Sequence, residues 1–515
     1  MLNKIIKSLR KLGKSLASAY SLDVNEIRFM NNWPKKDAST LGEDAILFQA
    51  PMDYYYLCHF GLLIKQLNCD NSAMGVWPYN VEPIPRAGLI KEICYMIYSK
   101  ILYSLNFMKW GRLYRSIGIK KIIRQDSSPV RVCVTSLVDA YRFKKKIHSK
   151  EELLKIHYHE IYIGDLIYDT YLRFRSSATV DLKDWFLTYV LYKAFISVNV
   201  AIATFDRLGI KKYFSSYSSY THHGIFVRVA LLKNIDVYVD GNVHQYLKKL
   251  SSSDNSHGIP WREALGRWDK TDNKSLYLTM AQTELSTRFS GMIDSATKYM
   301  KQSAFNDDGK KLELAGQFDG VIFLHDFFDS PHGWGDIIFC DFWEWACFTL
   351  EYFEKSETRV AVKPHPNQID QNSKVIDRLK EMFPGIKWLD PSTSNSSIFS
   401  SGIKFGVSVY GTVLYELAYH GIIPIAAGVH PALPFDFVFT PDSKAQYVYY
   451  LEKWRSLKMP SNYREKVLEY FASNYLLAED GLASKARDIN LKEIDFDDSS
   501  GLIHFLNRVG MEFSR

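Results

Sequence analysis

The sequence predicts an α/β protein: two doubly wound domains in tandem, facing each other across a cleft, with a helical N-terminal extension. Three observations carry that prediction. Residues 209–242 (GIKKYFSSYSSYTHHGIFVRVALLKNIDVYVDGN) read as strand, polar loop, helix and strand, which is one β-loop-α-β unit of a parallel sheet. From Phe318 onward, short apolar runs alternate with amphipathic helices (VIFLH, DFWEWACFTLEYFEKS, RVAVK, KVIDRLKEMF, IKWLD, KFGVSVY, GTVLYELAYH, IIPIAAG), the pattern of a second doubly wound domain. The polar stretch KQSAFNDDGKK separates the two and reads as a linker.

The elements follow in order. Residues 1–20 place Leu2, Ile5, Ile6, Leu9, Leu12 and Leu16 at helical spacing. Lys4, Lys7, Arg10, Lys11 and Lys14 fill the other face. Lysines interrupt the apolar run, so this is not a secretory signal. No stretch approaches the roughly 20 apolar residues of a spanning helix. The segment is expected to lie on an anionic membrane or to pack on its own domain. Residues 1–125 are expected to be a basic, mostly helical region, and 126–305 the first Rossmann-like domain. Residues 315–480 are expected to form the second, and 481–515 a tail or crossing helix.

Composition bounds the class. Of the 515 residues, 47% are hydrophobic and 23% charged, so a large core forms and disorder is excluded as the main state. Residues 1–124 hold 18 basic and 9 acidic side chains, a balance of +9 within a whole-chain charge of +7. The rest of the chain is therefore slightly acidic, whereas a nucleic-acid binder more usually carries a basic stripe on its folded domains. The six cysteines show no CxxC spacing, so no zinc or redox motif follows. No GxxxxGK[ST], HExxH or GxSxG occurs, which removes P-loop, zinc-protease and α/β-hydrolase chemistry.

Five motifs fall at strand ends, where open α/β sheets bind ligands. Lys363-Pro364-His365-Pro366 follows a buried strand. Its prolines stiffen a loop whose Lys and His can donate to phosphate or carboxylate. Ser408-Val-Tyr-Gly411-Thr412 opens a helix, a phosphate-binding geometry with Glu416 one turn on for ribose hydroxyls. The alternative there is an ordinary cap. His325-Asp326-Phe-Phe-Asp329-Ser-Pro-His332 fits no standard metal spacing and is expected to line the cleft. In Gly164-Asp165-Leu-Ile-Tyr-Asp169-Thr-Tyr-Leu-Arg173, Asp169 and Arg173 are expected to pair. Asp165 is the expected catalytic carboxylate, its alternative being an N-cap. Tyr220-Thr221-His222-His223-Gly224 with Arg228 either contacts an acceptor or caps a helix.

VAVKPHPNQ followed by SVYGTVLYELAYHGIIPIAAG resembles bacterial surface-polysaccharide glycosyltransferases of the GT-B type. The resemblance is to capsule and lipopolysaccharide enzymes that use CMP-activated sugars (Kdo and sialyl- or polysialyltransferases). It covers residues 318–440 well, 155–245 weakly and 1–125 not at all. It implies a GT-B-like fold and a metal-independent transferase moving a sugar from a nucleotide-sugar to a surface polysaccharide or lipid-linked acceptor. The nucleotide-sugar, with a CMP-sugar foremost, is substrate, and no separate cofactor or metal is implied. Lys363, His365, Pro366, Ser408, Gly411, Thr412 and Glu416 are the implied donor contacts. Asp165, with His325 and Asp326, is the expected catalytic set. The expected setting is cytoplasmic, with residues 1–20 on the inner membrane face. An epimerase, a glycerophosphotransferase and a non-catalytic polysaccharide assembly protein are the alternatives.

Overall fold

A computed structural model describes residues 15–34, 45–69, 72–79, 83–84, 86, 88–240, 247–256, 264–294, 296–297, 302–306, 315–366, 371–477, 491 and 494–512. The expected membrane contact of residues 1–20 falls mainly on 1–14, outside the described residues. Residues 15–20 are helical, held where the Tyr98 hydroxyl donates to Ser15 Oγ at 3.0 Å.

Two parallel sheets form two lobes. The first takes β1 (Ala45–Gln49), β2 (Ala73–Trp77), β3 (Lys121–Arg124), then, past a short hairpin of β4 (His157–Tyr158) and β5 (Ile161–Tyr162), β6 (Ile210–Ser215), β7 (Asp236–Val239) and β8 (Lys248–Leu250). Its order is β3-β2-β1-β6-β7-β8, parallel except for the edge strand β8. The second lobe holds β9 (Gly320–Phe323), β10 (Val360–Lys363), β11 (Lys387–Trp388), β12 (Phe405–Ser408) and β13 (Ile423–Ala426), in the all-parallel order β11-β10-β9-β12-β13. Helices cover both faces of each sheet, as parallel strands require.

Alternation along the strands builds the cores. Ile46 and Phe48 of β1 face one hydrophobic cluster and Leu47 the other. Val321 and Phe323 of β9 likewise part from Ile322. Side chains two apart share a face, so each strand feeds both layers.

Three strands correct the reading of residues 1–125 as a helical preamble. β1, β2 and β3 lie there and form half of the first sheet, so that lobe begins at least 80 residues earlier than the expected boundary at 126. The chain also returns at its end. The helix Ser500–Glu512 packs on the helix Val24–Asn32, with Phe505 stacked on Trp33 at 6.0 Å. Within the stretch 481–515, expected as a tail or crossing helix, the helix Ser500–Glu512 thus joins the core of the first lobe through Leu502 and Phe505.

The helix Trp185–Leu208 is long and apolar enough to cross a membrane, which the sequence reading did not anticipate. It is a core helix: Phe186, Leu187, Val190, Leu191, Ala194 and Phe195 are buried in the first lobe.

Candidate active site

The carboxyl ends of β1, β2, β6, β9, β10 and β12 open into one cleft between the lobes, of about 1340 Å³. Nine of the ten residues expected from sequence line it: His325, Asp326, Lys363, His365, Pro366, Ser408, Gly411, Thr412 and Glu416. Asp165 does not.

The floor on the second lobe is a buried polar network. Lys363 is 2% exposed, and its Nζ donates to Asn395 Oδ1 at 2.5 Å. Asn395 donates onward to Glu416 Oε2 at 3.4 Å. Glu416 Oε1 accepts from Arg288 Nη1 at 3.0 Å, and Arg288 Nη2 meets Asp294 at 2.6 Å. Burial pushes the Lys363 ammonium down to about 8 and raises the Glu416 carboxyl, because low dielectric penalises both charges. Arg288 also donates to the Tyr415 hydroxyl. Its helix, Lys274–Phe289, lies in a stretch whose polar composition hides it.

The Gly411 turn is held from behind by two neutral imidazoles. Val409 N–H donates to His325 Nε2 at 3.3 Å, so the proton of His325 sits on Nδ1. The ring stacks on Phe342 at 4.6 Å, and burial pushes its pKa down to about 3. His430 is the mirror case. Its Nδ1 accepts from Ala432 N–H at 3.0 Å, it bonds the Gly411 backbone, and burial pushes its pKa down to about 3. A second His-Pro dipeptide at 430–431 is its signal in the sequence. The expected catalytic role of His325 therefore gives way to a positioning one.

Ser408 is likewise occupied. Its hydroxyl is 3.0 Å from the Phe323 carbonyl and 3.1 Å from His325 Nε2, so its proton is taken up internally rather than offered to a phosphate. The helix Val413–Tyr419 has only seven residues, too short for its N-terminus to make an anion site by itself. Asp326 lines the cleft and accepts from Phe328 N–H at 2.9 Å. Tyr410 brings a hydroxyl that is buried without a hydrogen-bond partner among the described residues. Such an atom is costly unless a ligand completes it.

Asp165 is structural. Its two carboxylate oxygens take Arg228 Nη1 and Nη2 at 2.6 Å each. Arg228 also donates to the carbonyls of Tyr162 and Asn255. Both partners are 6% exposed, so the pair clamps the helix Gly164–Arg175 to the helix Thr221–Leu232. Asp169 pairs with His332 Nδ1 of the other lobe at 2.6 Å, not with Arg173, which turns into the cleft. Burial pushes the Asp169 carboxyl up to about 6. Asp341 ties the lobes a second time, accepting from Tyr168 and Thr179 hydroxyls at 2.5 Å each. His325 and His332 thus diverge, and among the described residues the 325–332 loop gathers no metal set. Among the described residues Glu151, Cys340 and Glu344 converge elsewhere, with Lys444 already on Glu344 at 2.7 Å.

The first-lobe wall is aromatic, with Tyr56, Trp77, Tyr79, Tyr103, Tyr217 and Tyr220. Tyr220 sits at φ 62°, ψ 156°, a region almost reserved for glycine. That strain marks the β6 turn. Gly224 permits it, since a Cβ there would meet the Ser218 carbonyl at 2.4 Å.

His223 lies in the first turn of the helix Thr221–Leu232 that follows. Gln49 of β1 fixes its tautomer. Ser216 N–H can only donate, so the atom it meets at 3.1 Å is Gln49 Oε1. The His222 carbonyl can only accept, so it takes Gln49 Nε2 at 3.2 Å. His223 Nδ1 lies 3.0 Å from that same Oε1 and must carry the proton. Nε2 is then the basic nitrogen. The sequence placed His223 in an acceptor-contact motif, while the orienting Gln49, 174 positions away, gave no local signal.

No family model matches the chain, and no curated protein matches it. Several solved structures share low identity with it. Thermosulfurimonas dismutans KpsC, a beta Kdo 2,7 transferase, is 13% identical, with 52% of this chain and 78% of that one covered and a TM-score of 0.29. Anabaena HepE, in complex with UDP and glucose, is 9% identical over 92% and 100%, at 0.26. Acinetobacter baumannii MurG is 9% identical over 86% and 98%, also at 0.26. The fold assignment rests on the chain's own strand order and lobes.

Proposed function

We propose that the chain is a glycosyltransferase that takes a sugar from a nucleotide-sugar and passes it to a hydroxyl of a polysaccharide or lipid-linked acceptor. The observation that carries this is a single cleft with an anion-binding wall on one lobe and an oriented histidine on the other. The donor nucleotide rests on the second lobe. Lys363 and the Tyr410 hydroxyl meet its phosphate, His365 and Pro366 form the rim, and Thr412 and Glu416 face the ribose. The acceptor lies along the aromatic wall, whose flat faces suit sugar rings. His223 Nε2 takes the acceptor proton as its oxygen attacks the anomeric carbon. The sugar–phosphate C–O bond breaks and its electron pair leaves on the nucleotide. One displacement inverts the anomeric centre. A CMP-activated acidic sugar is the foremost donor, on the strength of the sequence resemblance around Lys363 and Gly411.

Thermal-shift measurements with CMP, CDP, UDP and GDP test this directly. A ligand that binds only the folded chain raises its melting temperature. One nucleotide is expected to do so clearly, and no shift with any of the four overturns the donor assignment. An epimerase shares the donor wall but needs no second substrate. Turnover of the nucleotide-sugar that is independent of added acceptor would favour it.

Lys363 supplies a pH signature. Its folded pKa of about 8 lies below the usual lysine value of 10.5, so the cation that meets the phosphate is lost as pH rises through 8. Nucleotide affinity is expected to fall between neutral pH and pH about 9 for that reason. Lys363→Met is expected to weaken binding roughly tenfold to a hundredfold near neutrality, the range of a charge-assisted hydrogen bond. It is also expected to flatten the pH dependence. Titration calorimetry across that range checks both, and a parent affinity that is constant with pH would remove Lys363 from the phosphate site.

A further inference from the structure

The helix Gly164–Arg175 is buried along ten of its twelve residues. Arg173 is the one that stands exposed, and it lines the cleft. Arg175, two positions on, shows how this fold uses a structural guanidinium. Its Nε donates to Asp184 at 2.7 Å, its Nη1 donates to the Ile84 carbonyl at 3.0 Å, and Glu92 lies 3.1 Å away. Among the described residues Arg173 makes no hydrogen bond and no ion pair.

Two observations fix where it points. The first is the helix face. One turn back, Asp169 takes His332 of the second lobe at 2.6 Å, and Tyr168 donates to Asp341 of that lobe at 2.5 Å. Residues four apart share a face, so Arg173 continues the face that meets the second lobe. The second is the surroundings. The groups that act on the Arg173 charge are Tyr220, Asp329, Asp326 and Tyr217, and all four line the cleft. The Tyr220 hydroxyl donates to Asp329 at 3.2 Å, so beside Arg173 the lobes are one hydrogen bond apart. Asp326 follows His325, which holds the Gly411 turn from behind. The two carboxylates thus draw the guanidinium toward that turn, yet neither pairs with it.

We infer that Arg173 is a catalytic cation supplied by the first lobe: it meets the donor phosphate across the cleft and stabilises the charge that builds there as the sugar departs. This rests on the transferase reading. When the anomeric C–O bond breaks, its electron pair stays on the phosphate oxygen, and the nucleotide gains one negative charge. No proton moves to or from Arg173, whose guanidinium stays charged throughout. Lys363 is a poorer partner for that new charge. Its Nζ is bonded to Asn395, and its own charge is lost above a pH of about 8. A donor already in place where charge develops is worth most in a closed site. Because the cation comes from the facing lobe, departure of the sugar also requires both lobes to be together.

The test is titration calorimetry with two probes. One is the nucleotide, among CMP, CDP, UDP and GDP, that raises the parent's melting temperature. The other is the same nucleotide methylated on its terminal phosphate, which carries one negative charge fewer, as the sugar ester does. Arg173→Met keeps the stem and removes the charge. It is expected to weaken the free nucleotide roughly tenfold to a hundredfold, the range of a charge-assisted hydrogen bond, and the methyl ester clearly less. In Arg173→Ala, millimolar guanidinium chloride is expected to restore the affinity and potassium chloride at equal ionic strength to leave it low. A merely structural role would show no such rescue. Arg173 is exposed, so the melting temperature of both variants without ligand is expected to hold.

A parent that binds none of the four nucleotides overturns the donor reading and this inference with it. A parent that binds, beside an Arg173→Met variant that binds equally well, overturns this inference alone. Equal losses for the two probes also overturn it, since the contact would then not strengthen as charge builds. Failure of guanidinium to restore affinity, like equal restoration by potassium chloride, removes the direct contact with phosphate.

Discussion

Replacing His223 by Ala is expected to lower kcat by about a hundredfold to ten-thousandfold, the range a positioned general base supplies, while nucleotide binding stays at the parent level. The two halves of that expectation come from where the residue sits. His223 lies in the first turn of the helix Thr221–Leu232 of the first lobe, and the side chains proposed to hold the donor, Arg173 apart, lie on the second. A base acts on the acceptor proton only, so its loss shows in turnover and not in the thermal shift. Gln49→Leu separates orientation from chemistry. Gln49 Oε1 holds the Nδ1 proton and so leaves the lone pair on Nε2. Without it the imidazole populates both tautomers and rotates. A smaller fall in kcat is expected, with nucleotide binding again at the parent level. Should His223→Ala turn over at the parent rate, the base is another cleft residue, and Asp53 and Asp329 would be the next to test.

What the sequence discloses of this arrangement depends on how far apart the cooperating residues lie. The second lobe was legible because its strands are fully buried apolar runs, each followed at once by its functional turn: VAVK by Pro-His-Pro, FGVS by Tyr-Gly-Thr. In the first lobe the same strands escaped notice. AILFQ, AMGVW and KIIR are four or five residues each, and between them run helices of 13 and 28 residues whose periodicity dominates. Sites assembled from contacts distant in sequence were the least readable. Asp165 looked catalytic because its neutralising partner Arg228 is 63 positions on. Asp169 seemed matched with Arg173 by the four-residue rule, yet a carboxylate on a lobe surface goes to the cation the facing lobe supplies, here His332, 163 positions away. Arg288 was hidden by a polar flank, although burying it between Asp294 and Glu416 needs only one turn of helix to end in the right place.

Removing the Asp165 carboxylate is expected to damage stability and spare chemistry. Asp165→Ala leaves the Arg228 guanidinium in a site where both partners are 6% exposed and the lost bonds are two of 2.6 Å. Breaking one side of such a buried pair costs about 3–5 kcal/mol, because the surviving charge stays desolvated without its counterion. Denaturant unfolding is expected to show a fall of that size, with the midpoint moving and the remaining folded fraction still binding nucleotide. The double replacement Asp165→Leu/Arg228→Met removes both charges and keeps apolar volume between the helices Gly164–Arg175 and Thr221–Leu232. It is expected to recover most of the loss, since paired apolar side chains pack there without a desolvation cost. Turnover per folded molecule is the deciding measurement. A catalytic carboxylate would leave the double variant stable and inactive. A clamp would leave it stable and active, because His223 is carried by the clamped helix and returns to its place once that helix is held again. Activity restored along with stability is the result expected, and a stable, nucleotide-binding, inert double variant would return Asp165 to the chemistry.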